Sequence, residues 1–103
     1  MAMTNSLLQN LIQEAIDDEK VTAVIHMNNN KVIVLNYNVD KVPNRPKASD
    51  VTFKSDGGSD VFELTRIDAN TNLPYKQTFL TEYAESFTIV PKGGKIDPQI
   101  IHW

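Results

Sequence analysis

The chain has 103 residues, 41% of them hydrophobic and 22% charged, with a formal net charge of −3 and no cysteine. One domain with one core is expected at this length, and the supply of Val, Ile, Leu and Phe excludes a wholly disordered chain. The acidic balance gives no electrostatic ground for binding nucleic acid or an anionic membrane, and the missing cysteines remove disulfides, thiolate nucleophiles, Cys-ligated zinc and iron–sulfur clusters.

The first element is an amphipathic helix over about 5–18. Leu7, Leu8, Leu11, Ile12, Ala15 and Ile16 recur at four-residue spacing on one face, with Gln9, Asn10, Gln13, Glu14 and Asp17 opposite. Asn5 or Ser6 is the expected cap, and Ser6 with Gln9 fits a capping box. The acids of "DDEK" oppose the dipole at the helix end and mark its stop. A β-rich region over about 21–91 follows, then a tail over 92–103.

"VTAVIHM" (21–27) and "KVIVLNYNV" (31–39) are β-branched runs joined by "NNN". Asparagine tolerates the left-handed conformation of tight turns, so they predict a hairpin. Ile33, Leu35, Tyr37 and Val39 share one face of the second run, and Val32 and Val34 share the other with Asn36 and Asn38. The early part is expected to be buried on both sides. "DKVPNRPKASD" (40–50) carries two prolines and predicts a loop. "VTFKS" (51–55) and "DVFELTRI" (60–67) flank "DGGS", a second hairpin signal; "DANTNLPY" predicts a loop; "KQTFLTEY" (76–83) and "ESFTIVP" (85–91) predict strands.

No crossover helices are available to build a parallel sheet, and sequential strands usually pair with their neighbours. The expected fold is therefore α+β: an N-terminal helix on a strongly bent antiparallel sheet of five to six strands, with a small SH3/Sm-like barrel as its closed form. In element order alone, a helix followed by five strands and ending in a strand like "SFTIVP", the chain resembles the Sm/Hfq-type barrel. The glycine-bearing second strand and the nucleotide-contacting signature of that family are absent, so RNA binding is not carried over onto any residue.

Little here carries chemistry. His26 and His102 lack a neighbouring nucleophile or paired ligand motif, so no catalytic residue and no zinc site is assigned. Asp56 and Asp60 in "SDGGSD" lack the alternating acids and closing glutamate of a calcium loop, and the plainer reading is a hairpin turn. "KGGK" has no Walker spacing and reads as a hinge. No cofactor is implied.

Two segments remain as candidate partner-binding sites. One is the loop holding "PNRP", where Lys41, Arg45 and Lys47 form the most basic stretch and the spacing matches polyproline ligands; its plainer reading is a stiff solvated loop. The other is the terminal "KIDPQIIHW", with Ile100, Ile101 and the only tryptophan, Trp103. Fully burying one such side chain is worth about 1.5–3 kcal/mol. The tail is expected either to fold back onto this protein's own sheet or to dock on another chain, a second copy included.

The expected function is a small non-catalytic cytoplasmic binding protein acting through protein–protein contacts, of a kind that would suit a bacterial or phage accessory protein. No signal peptide is legible, and the longest aliphatic run, "VIVL", is too short to cross a bilayer. The alternative is a self-assembling structural subunit, a ring or virion component, joined through the tail or a strand edge. An enzyme with a site across a subunit interface, and a single-strand nucleic-acid binder using sheet aromatics, rank behind both.

Overall fold

The computed structural model describes residues 3–37 and 45–94. It is α+β, but the strands form two antiparallel three-stranded sheets rather than one sheet of five to six strands, and they do not close into a barrel. Sheet A has the order β2-β1-β6 and sheet B the order β3-β4-β5, built from β1 (Thr22–Met27), β2 (Val32–Leu35), β3 (Thr52–Asp56), β4 (Ser59–Ile67), β5 (Pro74–Leu80) and β6 (Ala84–Val90). The barrel stays open because, among the described residues, no ladder joins β2 to β3 or β5 to β6. β6 pairs not with β5, its neighbour in sequence, but with β1, in the register Ala23↔Ile89 and Ile25↔Phe87. The chain leaves sheet B through a 3₁₀ turn at Thr81–Tyr83 and enters sheet A directly after it.

The predicted single helix is two short segments, α1 (Asn5–Leu11) and α2 (Gln13–Asp17). The interruption is Ile12, whose ψ of 8° leaves the helical region while its N–H still reaches the carbonyls of Leu8 and Asn10. Leu8, Ile12 and Ala15 are buried, whereas Leu7, counted from spacing as part of the apolar face, is exposed. The cap is also displaced by one residue from expectation. Thr4 accepts from the Leu7 N–H through Oγ1 at 3.2 Å, which satisfies one of the unpaired donors of the first turn.

Asn5, freed from capping, ties the helix to sheet B. Its N–H donates to Asp60 Oδ2 at 2.8 Å and its Nδ2 to the Lys54 carbonyl at 2.7 Å, while its Oδ1 accepts from the Thr81 hydroxyl. The Asp60 carboxylate thus lies at a helix start, where negative charge is favoured. α2 stops at Asp17, and Asp18 turns to extended backbone, as the acidic run implies.

Both hairpins form where turn chemistry predicts them. Asn30 has φ 64°, and the Met27 N–H bonds the Lys31 carbonyl at 2.9 Å. Gly57 and Gly58 have φ of 59° and 86°, the two positive values a two-residue turn between Asp56 and Ser59 requires. The second run is shorter than expected. β2 ends at Leu35 because Asn36 takes φ 68°, and Val39 lies outside the described residues.

One apolar cluster joins all these pieces: Leu8, Ile12 and Ala15 from the helices, Ala23, Ile25, Met27, Ile33 and Leu35 from sheet A, and Phe62 and Leu64 from sheet B. Asn36 is the polar counterpart within it. Its Nδ2 donates to the carbonyls of Ala15 at 2.7 Å and Val21 at 2.9 Å, its Oδ1 accepts from the Ala48 N–H at 2.9 Å, and its own N–H bonds the Pro46 carbonyl. The end of α2, the start of β1, the end of β2 and the 3₁₀ turn Ala48–Asp50 therefore meet on one side chain.

The solvent side of sheet B is polar. Lys54 Nζ lies 2.8 Å from Glu63 Oε1, and the Thr78 hydroxyl donates to Glu63 Oε2 at 3.3 Å. The hydrogen bond from Lys54 holds the Glu63 carboxyl below its ordinary value, against an opposing push from burial. A carboxyl held low stabilises the fold above the unfolded-chain value, and that contribution is lost as pH falls through the folded value. Lys54→Met should therefore move the Glu63 titration upward in a carbon-13 NMR titration, and the stabilities of variant and wild type should converge in acid. Identical titration curves would rule out this coupling.

Candidate functional site

Of the sequence-predicted basic residues, Arg45 and Lys47 fall among the described residues. Lys47 Nζ forms an ion pair with Glu19 at 2.9 Å, which raises the lysine pKa chiefly through that hydrogen bond. The Arg45 guanidinium stands 5.7 Å from the centre of the Tyr37 ring, within cation–π range. These two cations are thus turned to different partners within the fold. Lys41, Ile100, Ile101, Trp103 and His102 lie outside the described residues. His26 sits in mid-strand opposite Val32 and Ser86. Asp60 is engaged by Asn5, and among the described residues no three His, Cys, Asp or Glu side chains are grouped so as to hold a metal.

A different surface stands out. Among the described residues five large apolar side chains are exposed, and four of them fall within 73–83: Leu73 at 63%, Tyr75 at 43%, Leu80 at 36% and Tyr83 at 45%. They follow β5 and the turn after it. β5 is an outer strand of sheet B, so among the described residues one row of its main-chain N–H and C=O groups has no strand beside it. Such an edge is a template for a further strand unless it is guarded. Pro74 at its start and Lys76 two residues on guard it in part.

At the far end of β5 the edge opens into a cleft of about 210 Å³. Phe79, Leu80 and Tyr83 form one wall, and Met27, Asn28 and Lys31 the other. The Asn28 N–H donates to the Tyr83 carbonyl at 2.9 Å, holding the turn of the first hairpin against the segment that links the sheets. This main-chain hydrogen bond ties the two walls of the cleft together. β5 carries a single charge, Lys76, and no carboxylate, and Lys31 adds a second cation at the cleft.

This surface was not legible as a site in the sequence. Leu73, Pro74 and Tyr75 fall in a segment whose Asn, Thr and Pro content reads as loop, and only the pairing of β5 with β4, from Val61↔Leu80 to Ile67↔Pro74, shows them on a strand. Two adjacent apolar residues around a proline were the one available signal.

Comparison with known protein families, with characterised proteins and with solved structures finds no match to this chain.

Proposed function

We propose that the chain is a small non-catalytic binding domain that contacts another protein through the β5 edge and the adjoining cleft. The observation that carries this reading is that exposed Tyr75 and Leu80 lie on an outer strand, with exposed Leu73 just before it and Tyr83 in the turn after it. Exposed aromatics of this kind are the usual anchors of protein interfaces, and an unpaired strand edge supplies main-chain hydrogen bonds to an extended segment. The partner segment that fits is extended, with apolar side chains at alternate positions and carboxylates near Lys76 and Lys31. Among the described residues no helix is long and apolar enough to cross a membrane, and the proposed setting is the cytoplasm.

A photo-crosslinker replacing Tyr75 tests this directly in lysate of the native host. One protein should be captured at that position, and purified with the chain it should bind at least tenfold more weakly to Leu73→Asp/Tyr83→Asp, since losing an interface tyrosine commonly costs about 2 kcal/mol or more. Both positions are exposed, so the unfolding midpoint should stay close to wild type. No crosslink at position 75, or equal affinity for the variant, would sink the reading. Crosslinking of the chain to itself would replace it with the self-assembling subunit.

A further inference from the structure

The β5 edge has a direction, and its two ends differ in chemistry. The Asp68 N–H donates to the Leu73 carbonyl at 2.9 Å at the start of the β4–β5 ladder, whose register runs from Ile67↔Pro74 to Val61↔Leu80. Main-chain groups alternate sides along a strand. Tyr75, Gln77 and Phe79 therefore turn theirs to β4, and Pro74, Lys76, Thr78 and Leu80 turn theirs to the open side. Pro74 fits this phase, because the N–H it lacks would have faced away from the ladder. The donors on the open side are thus the N–H groups of Lys76, Thr78 and Leu80, and they lead from the proline toward the cleft.

The cleft end is rich in hydrogen-bond donors. Its lining holds one cation, Lys31, two asparagines, Asn28 and Asn29, and no carboxylate. Glu82 belongs to the adjoining turn but does not line the cleft. Asn29 Oδ1 accepts from the Lys31 N–H at 3.2 Å, which fixes that amide and leaves its Nδ2 to donate elsewhere. The Thr78 hydroxyl is already given to Glu63. In a chain of net charge −3, a cleft lined by a cation and amides selects for an anion.

The rest of the lining is apolar: Met27, Phe79, Leu80 and Tyr83. A volume of about 210 Å³ lies below the roughly 300–1,000 Å³ of pockets that enclose a whole small-molecule ligand. It suits one large side chain beside a small anionic group. A polypeptide carries that pair on a single residue at its C-terminus, where the last side chain and the α-carboxylate share one Cα. The first hairpin, held by the Asn28 N–H on the Tyr83 carbonyl at 2.9 Å, stands at the end of β5, where a chain running on would meet it.

We propose that the segment docking on β5 is the C-terminus of the partner chain. Its last residues run parallel to β5, its terminal carboxylate lies at Lys31 and Asn29, and its final side chain, a large apolar one, enters the cleft against Met27, Phe79 and Tyr83. The direction follows from the charge. β5 runs from Pro74 toward the cleft, so a chain that ends at Lys31 runs the same way. This rests on β5 being the docking edge, and it adds the polarity and the end of the chain that occupies it.

Random decapeptides displayed with free C-termini are the probe, selected against the full chain. Binders should converge on a large apolar last residue. Made synthetically, they should bind at least about tenfold more weakly as C-terminal amides than as free acids, since a charge-assisted hydrogen bond is lost. Lys31→Glu should weaken the free acid by a similar factor and bring acid and amide to equal affinity, whereas Lys31→Arg keeps the preference. Lys31 is exposed, so neither variant should move the unfolding midpoint. A binder carrying a nitroxide on its first residue should broaden the amide signals around Leu73 and Tyr75; broadening around Lys31 instead would mean the opposite direction and overturn the proposal. Equal affinity of acid and amide, or binders indifferent to Lys31, overturns it as well. With amide shifts still at 75–80, those results leave the β5 edge standing as a site for an internal segment. A library that covers every sequence of the last five residues contains the motif, so a selection without binders also overturns it. The crosslink at position 75 then decides separately whether the edge is used.

Discussion

Replacing Asn36 by alanine should cost about 3–5 kcal/mol in urea unfolding followed by circular dichroism, a large share of the total stability of a domain this size. The side chain is 4% exposed and satisfies two carbonyls, at Ala15 and Val21, and one N–H, at Ala48. Removing it strands three buried polar groups, each costing about 1–3 kcal/mol when unpaired, with some relief from local rearrangement. The backbone at φ 68° adds a smaller penalty for a residue with a Cβ and no local hydrogen bond. Two further variants separate these contributions. Asn36→Gly accepts the backbone angle but loses the same hydrogen bonds, so it should recover only about 1 kcal/mol of the loss. Asn36→Asp keeps the shape and the tolerance for that angle, but sets a carboxylate oxygen against two carbonyls. It should therefore be at least as damaging as alanine at neutral pH. A cost below about 1 kcal/mol for Asn36→Ala, typical of a surface site, would mean that the junction is held by apolar packing instead.

Asn36 also shows where sequence reading stops. The chain is rich in asparagine, and this one follows a β-branched run in a position that alternation assigns to a strand face. Nothing local distinguishes it from Asn38. Its role comes from bringing together Ala15, Val21 and Ala48, which are distant in sequence. The features that were legible are the local ones: Gly57-Gly58 between alternating runs, Asn30 in a tight turn, a helix marked by Leu8, Ile12 and Ala15, and the early part of the second run, β2, buried on both faces. The pairing of β6 with β1 across some sixty residues of chain was not legible, nor was the turn at Thr81–Tyr83, which reads as continuous strand. Of the candidate site residues, Arg45 and Lys47 carried a charge signal, and their contacts with Tyr37 and Glu19 were not legible locally. The exposed apolar residues on and beside β5 had almost no local signal, since their exposure follows from β5 being an outer strand.

Phe62→Ala should cost about 3–5 kcal/mol, and the loss should be felt in both sheets. Phe62 is fully buried at the centre of a ladder across sheet B, with the Phe79 ring stacked at 5.2 Å and the Phe53 ring tilted at 6.4 Å. Phe53 and Phe79 are only partly buried, so their truncations should cost less. Deleting the ring opens a cavity that neither neighbour can fill without losing its own contact with the core. The distribution of the effect is the more telling measurement. Phe62 and Leu64 share one cluster with Ala23 and Ile25, so hydrogen exchange through global unfolding should accelerate by the same factor in β1 and in β4. Faster exchange confined to β3, β4 and β5, with β1 and β2 unchanged, would show instead that sheet B opens on its own. In that case Phe62 would hold together a separable hairpin unit, and the helix contacts of Asn5 with Asp60 and Lys54 would be its principal link to the rest of the chain.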